Sequence, residues 1–293
     1  MDDRIEWPTL GLLGLAYGIW ALAVFSLASF SGLLAVVVAG FAITLHSSLQ
    51  HEVIHGHPFK SDKLNALLVW PPLTLFIPFL RFRDTHLAHH QDCQLTDPYD
   101  DPETNFLDPL VWARIPKIAQ RVLLWNNTLL GRMVIGPLVG TAFFLWSDWR
   151  LRHRSGVRSG WLWHLPGVAI VLAVVVVSPM SVWAYLVSCY LALSLLRLRT
   201  FLEHRAHDLV RARSVIVEDK GPLALLFLNN NLHAVHHMHP GVAWYKLPRL
   251  LRDNRDRFLT ANDGYVYASY GEVFRRYFLT RKDPVAHPLW QRK

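Results

Sequence analysis

Cysteine is nearly absent. The chain carries two, Cys93 and Cys189, which make no disulfide framework and no zinc-type Cys-x-x-Cys pair. That suits a chain whose core lies on a reducing side. Cys93 lies three residues after His90 and reads as a small buried side chain rather than a ligand. Charge is also scarce, at 18% of residues. The chain has no internal repeat, no low-complexity tract and no long linker, so a single domain over residues 1–293 is expected. A net charge of +8 would suit nucleic acid, but no basic helix, zinc finger or RNA-binding signature accompanies it. What is abundant is apolar. Hydrophobic residues make up 52%, with twelve Trp and a positive mean hydropathy, which points to a lipid bilayer.

Residues 10–28 form an uncharged apolar run after the acidic start Met1-Asp2-Asp3-Arg4-Ile5-Glu6. A secretory signal would have a basic start, a shorter apolar core and a small-residue cleavage site, so a retained transmembrane helix is expected. Residues 33–50 are apolar again after Ser29-Phe30-Ser31-Gly32. Residues 161–177 and 182–196 form a second pair, joined at Ser178-Pro179-Met180-Ser181. Each run approaches the roughly 20 residues that a bilayer core requires. Two further apolar segments differ. Residues 64–80 are interrupted by Pro71, Pro72 and Pro78 and flanked by Lys60, Lys63, Arg81 and Arg83. Residues 133–146 lie between Arg132 and the basic stretch Arg150, Arg152, Arg154 and Arg158. Basic residues favour the cytoplasmic side, so both segments are expected to lie in the interface or re-enter. Four crossings then put every histidine cluster on one side, together with all 30 Lys and Arg. The expected fold is an all-α membrane protein with four transmembrane helices in two hairpins. A cytoplasmic helical cap, including residues from about 200 to 293, would carry the histidines.

Nine of the sixteen histidines fall into short clusters: His51 and His55; His86, His89 and His90; His204; and His233, His236 and His237. Helical residues three and four apart share a face, so each cluster converges. Imidazole is the commonest protein metal ligand, and one ion takes about four. Nine are too many for one ion and suit two. His51-Glu52-Val53-Ile54-His55 also matches the zincin motif, in which two histidines bind zinc beside a glutamate base. A zinc protease would leave about six histidines unexplained, and no third-ligand motif stands out. Asn262-Asp263-Gly264 reads as a turn. A histidine-rich transporter would line its crossing helices with polar groups, which these spans hardly contain.

The other histidines are sorted by position. His46 and His57 fall off the ligand face, and His153, His164 and His287 are isolated. His207, one turn after His204, is placed to orient or replace it. His239-Pro240-Gly241 reads as a helix breaker. Metal-bound histidines usually donate their other ring N–H to a carboxylate or carbonyl, so Glu52, Asp84, Asp92 and Glu203 are candidate partners.

A His-x-x-x-His box after a membrane hairpin, followed by two His-x-x-His-His boxes, resembles the membrane fatty acid desaturase superfamily over residues 10–250. The resemblance implies nine metal-binding histidines, namely His51, His55, His86, His89, His90, His204, His233, His236 and His237. It also implies two non-haem iron ions, oxygen as oxidant, and a separate electron-donor protein of ferredoxin or cytochrome type. Acyl-CoA desaturases of this family carry an asparagine four residues before the extra histidine; here that position is Thr200. Thr200 either serves similarly or that iron's surroundings differ, and Asn229-Asn230-Asn231 before the third box offers an amide. The tail Pro240–Pro248 is similar to bacterial desaturase-like proteins and to carotenoid ketolases. The expected activity is desaturation of an acyl chain in lipid metabolism. Alternatives within the family are hydroxylation or ketolation of a carotenoid, alkane or amino-lipid, or desaturation of a small amino-acid-derived molecule. Segments 64–80 and 133–146 are candidate walls for an acyl tunnel.

Overall fold

The computed structural model describes residues 5–291, apart from the side chain of Asp92. The described chain is mostly helical and divides into two compact units. One comprises Met1–Arg83 with Leu138–Leu196, the other Asp84–Pro137 with Arg197–Lys293.

Among the described residues, four helices are long and apolar enough to cross a membrane: Trp7–Phe30, Gly32–Ile54, Ser155–Val177 and Val182–Thr200. All four expected spans are therefore helices, and each extends beyond its apolar run. The first break is a single residue. Ser31 is extended, and its hydroxyl accepts from Leu34 N–H to start the next helix. In the first unit, Ala35, Ala39 and Ala42 are buried at helical spacing against Trp20, Val171, Tyr185 and Ala192. Small residues let helices approach closely where no hydrophobic force drives them together. At Gly40 a Cβ would lie 2.7 Å from Leu191.

The proline-rich segment does not form a spanning helix. Asp62–Leu68 is helical, and the chain from 70 to 78 is irregular before the helix Phe79–His89 resumes. Its middle is nonetheless buried: Val69, Leu73 and Thr74 are all at most 5% exposed. Irregular backbone in apolar surroundings needs partners for its carbonyls. The spans supply them. Tyr17 Oη donates to Leu68 O (2.8 Å), Gln50 Nε2 to Val69 O (3.1 Å) and Tyr185 Oη to Leu73 O (2.8 Å). His164 Nε2 donates to Leu75 O (2.9 Å). A polar side chain from each of the four spans thus serves one buried segment. His46 joins them through Tyr17 Oη at 3.0 Å. Arg81 makes a bidentate pair with buried Asp148, which also accepts from Trp161 Nε1 at 2.9 Å.

In the second unit, Leu198, Phe201, Leu202, Phe227, Tyr265, Tyr267, Tyr270 and Tyr277 build one core. A short parallel pair joins Ile216–Val217 to Val266–Tyr267. Ahead of it, Glu203–Arg205 runs antiparallel to Arg213–Val215, held by Arg205 N–H to Arg213 O and Val215 N–H to Glu203 O. Ala234 N–H then donates to Val215 O (2.8 Å), which docks the third-box helix His233–Met238 beside His204. That helix ends at His239, ahead of Pro240, where the sequence placed a breaker.

Candidate metal centre

The second box occupies the last turn of Phe79–His89, with His90 following, and the third lies on His233–Met238. Within the second unit the two boxes sort their imidazoles into two groups. His89, His204, His233 and His237 each bring one ring nitrogen within 4.8 Å of the others, and His86, His90 and His236 do the same. Each box is therefore divided. The i,i+4 pairs His86/His90 and His233/His237 stay together, while His89 and His236 turn to the other group. The sequence placed all three histidines of each box on one face; helical rotation separates the odd member. In the first unit, His51 sits in the last turn of Gly32–Ile54 and His55 caps it, with ring centroids 5.0 Å apart.

The nitrogen spacings suit a cation. His204 Nε2 lies 2.9 Å from His89 Nε2 and 3.0 Å from His233 Nε2. His90 Nε2 lies 3.0 Å from His86 Nε2 and 3.2 Å from His236 Nε2. Two nitrogens bound at about 2.1 Å to one ion, at a right angle, stand about 3.0 Å apart.

The far sides of the rings decide what these nitrogens carry. His89 Nδ1–H donates to Asp101 (2.8 Å) and His86 Nδ1–H to Glu103 (3.0 Å). Asp101 is itself oriented by Thr96 N–H and Glu103 N–H. Asn230 Nδ2 donates to Glu203, so its Oδ1 faces and accepts from His233 Nδ1–H at 3.2 Å. Glu203 is in turn paired with Arg199 at 3.0 Å. Ser214 Oγ lies 3.2 Å from His204 Nδ1. With Nδ1–H committed outward, as at His86, His89 and His233, a neutral ring turns its Nε2 lone pair inward. Several lone pairs at 3 Å repel one another unless something positive lies among them. A shared proton accounts for one pair of nitrogens, but His204 Nε2 faces two.

Electrostatics agree. Burial, and then the neighbouring imidazoles, push His204 and His233 well below the ordinary histidine range. Burial works against a charged His89 as well, but Glu103, Asp101 and Glu203 outweigh it and raise His89 to about 9. A metal ion would displace that proton. Burial opposes ionisation of Glu103, yet His86 and His89 hold it below the usual carboxylate range. The donor set is imidazole with carboxylates behind it, and it fits a divalent transition metal.

The remaining sequence-predicted residues are placed as follows. Glu203 stands 3.8 Å from His233 Nδ1 and acts on it through Asn230. Glu52 lies 3.8 Å from His57, which pairs with Glu6 at 2.9 Å. His207 lies 3.3 Å from Asp263 and accepts from Leu209 N–H. Asn229 Nδ2 donates to Trp244 O. The Thr200 hydroxyl is buried with no hydrogen-bond partner among the described residues. The Asp92 side chain lies outside the described residues. Cys93, expected to be buried, is exposed, because it sits on a short 3₁₀ turn beyond the second-box helix. Sequence reasoning missed Asp101, Glu103, Ser214 and the specific role of Asn230. The one signal for the first two was the acidic, proline-punctuated run Asp97–Glu103 after the second box.

Known proteins carry related sequences. Over 235 residues, 77% of this chain and 78% of the relative, the sequence is 26% identical to a beta-carotene ketolase from Paracoccus sp. (strain N81106 / MBIC 01143). The model of the fatty acid desaturase family matches residues 27–269, a stretch that takes in every histidine cluster and three of the four long apolar helices, with only the end of the first. The chain belongs to the fatty acid desaturase family.

Proposed function

We propose that this protein is a membrane-bound, oxygen-dependent oxidoreductase that desaturates an acyl chain. The observation that carries the reading is the set of inward-facing ring nitrogens in the second unit, held by Asp101, Glu103, Asn230 and Ser214. In this reading His89, His204, His233 and His237 hold one iron and His86, His90 and His236 hold the other; that His51 and His55 are ligands too is what the family resemblance implies. All nine are expected ligands, and the two units act as one catalytic domain. Iron with oxygen would supply removal of hydrogen from an unactivated C–H bond, which acid–base side chains cannot perform. The substrate loses two hydrogens, and oxygen takes up these, two electrons and two protons to give two waters. The electrons come from a separate donor protein. This chain's own residues keep His86, His89 and His233 in the metal-binding tautomer, and burial keeps water from His86, His89, His233 and His236, each at most 3% exposed.

A second reading is favoured by the named relative: hydroxylation or ketolation, in which oxygen enters the product. The histidine set serves both outcomes, and the position of the substrate decides between them. Mass spectrometry of lipids from cells expressing the wild type or His89→Ala tests the two. Loss of two hydrogens from an acyl lipid, with wild type only, supports desaturation. Gain of oxygen moves the protein to the second reading. No difference between lipids from two well-expressed, iron-analysed proteins would overturn the acyl-lipid assignment.

A further inference from the structure

The second unit carries an apolar surface that the metal site does not use. Pro109–Arg114 is a short helix started by Asp108, whose side chain accepts from Leu110 N–H. After Ile115-Pro116 the chain turns into the helix Lys117–Asn126. Gln120 locks the two together by donating to Trp112 O (3.0 Å) and Ile115 O (3.2 Å), carbonyls at the end of the first helix. On this braced pair Leu110, Val111, Ile118, Val122 and Trp125 are exposed, Ile118 by 68%. Arg114, Lys117 and Arg121 are exposed beside them, and no Asp or Glu occurs from 109 to 126.

The order of side chains around the second helix is informative. At 3.6 residues per turn, Lys117 and Arg121 fall on one flank of the exposed face and Ile118 and Val122 on the other. Trp125 lies between them. A helix that lies flat at a membrane surface has this arrangement: aliphatic groups in the acyl boundary, an indole at the headgroup level, and basic groups reaching anionic headgroups. A water-facing helix would not leave so many large apolar groups uncovered on one face. The basic charge, with no acid to offset it, complements an anionic lipid surface. The same chain holds four helices fit to cross a bilayer, so lipid is at hand.

We propose that the helix pair Pro109–Arg114 and Lys117–Asn126 is a surface anchor lying in the headgroup layer of an anionic bilayer. The test places single nitroxide labels at residues 118, 122 and 125 of the full-length protein in nanodiscs. A Cys93→Ser background removes the exposed native thiol; Cys189 is buried. Arg257→Cys, on an exposed basic position, serves as the aqueous reference. The accessibility of each label to oxygen, relative to a water-soluble nickel chelate, is read in phosphatidylcholine discs and in discs containing phosphatidylglycerol. The expected result is a ratio several-fold above that at 257 for all three labels, increased by phosphatidylglycerol. The triple variant R114E/K117E/R121E should lose the phosphatidylglycerol increment. Ratios equal to that at 257 in both lipids would overturn the proposal. So would labels shielded from both reagents, which would mean a protein partner or a second copy covers the face. A phosphatidylglycerol increment that survives in the triple variant would overturn the role of the basic residues.

Discussion

Asp101 lies twelve residues beyond His89 yet accepts its Nδ1–H, and two backbone N–H groups hold its carboxylate in place. Replacing it by Asn keeps the shape and removes the charge that makes the ring a strong donor. Asp101→Asn is expected to weaken metal retention about 10–100-fold, the usual cost of losing such a partner. Metal content after dialysis against graded chelator measures it; unchanged retention would remove Asp101 from the site. Asn230 offers a sharper contrast. Asn230→Leu leaves His233 Nδ1 without its acceptor and should behave like Asp101→Asn in the same assay. The histidine clusters themselves were legible in the sequence because helical spacing repeats at three and four residues. Asp101 and Glu103 were not, because they return to the histidines along a loop that has no period. The division of each box between two groups was also hidden: it depends on how each helix is rotated, which spacing alone leaves open.

The element that most shapes the first unit is the irregular stretch from 70 to 78. Its prolines announced in the sequence that no spanning helix would form there. They did not announce that it would be buried, with carbonyls bonded by Tyr17, Gln50, Tyr185 and His164 from the spans. Their partners are distant in the chain, so no local pattern shows these bonds. Tyr185→Phe removes the stronger of two donors to Leu73 O, the other being Cys189 Sγ at 3.4 Å, and takes away the acceptor of buried Trp20 Nε1, at a cost of about 1–3 kcal/mol. Its thermal midpoint in detergent should fall; an unchanged midpoint would mean water replaces the hydroxyl. Gly167 gives a test with opposite signs. An alanine Cβ there would lie 2.7 Å from Pro72 Cδ, a ring that cannot swing aside, whereas at Gly18 nothing lies within 4 Å. Gly to Ala in a helix normally stabilises by up to about 1 kcal/mol. Gly18→Ala should follow that rule and Gly167→Ala should reverse it, read as thermal midpoints side by side.

At the scale of the whole molecule, the four long apolar helices and the uncharged turns between the members of each pair set the expected sidedness. A thiol at Ser31 or Ser181 should react with an impermeant maleimide added outside intact cells, and a thiol at Arg257 should react only after lysis. The reverse pattern would place the histidines on the outer side and invert the source of electrons. Length, hydropathy and basic residues made the spans legible as a set, although each helix runs several residues past its apolar stretch, because helical hydrogen bonding continues where hydropathy has already fallen.

His86 and His90 share a turn with His89, and His233 and His237 share one with His236, so the same two turns present donors to both groups. With ions in place, emptying one group would loosen the turns that serve the other. The protein should then pass between empty and doubly filled with little half-loaded species between, and a titration of metal into the stripped protein should be steeper than two independent sites allow.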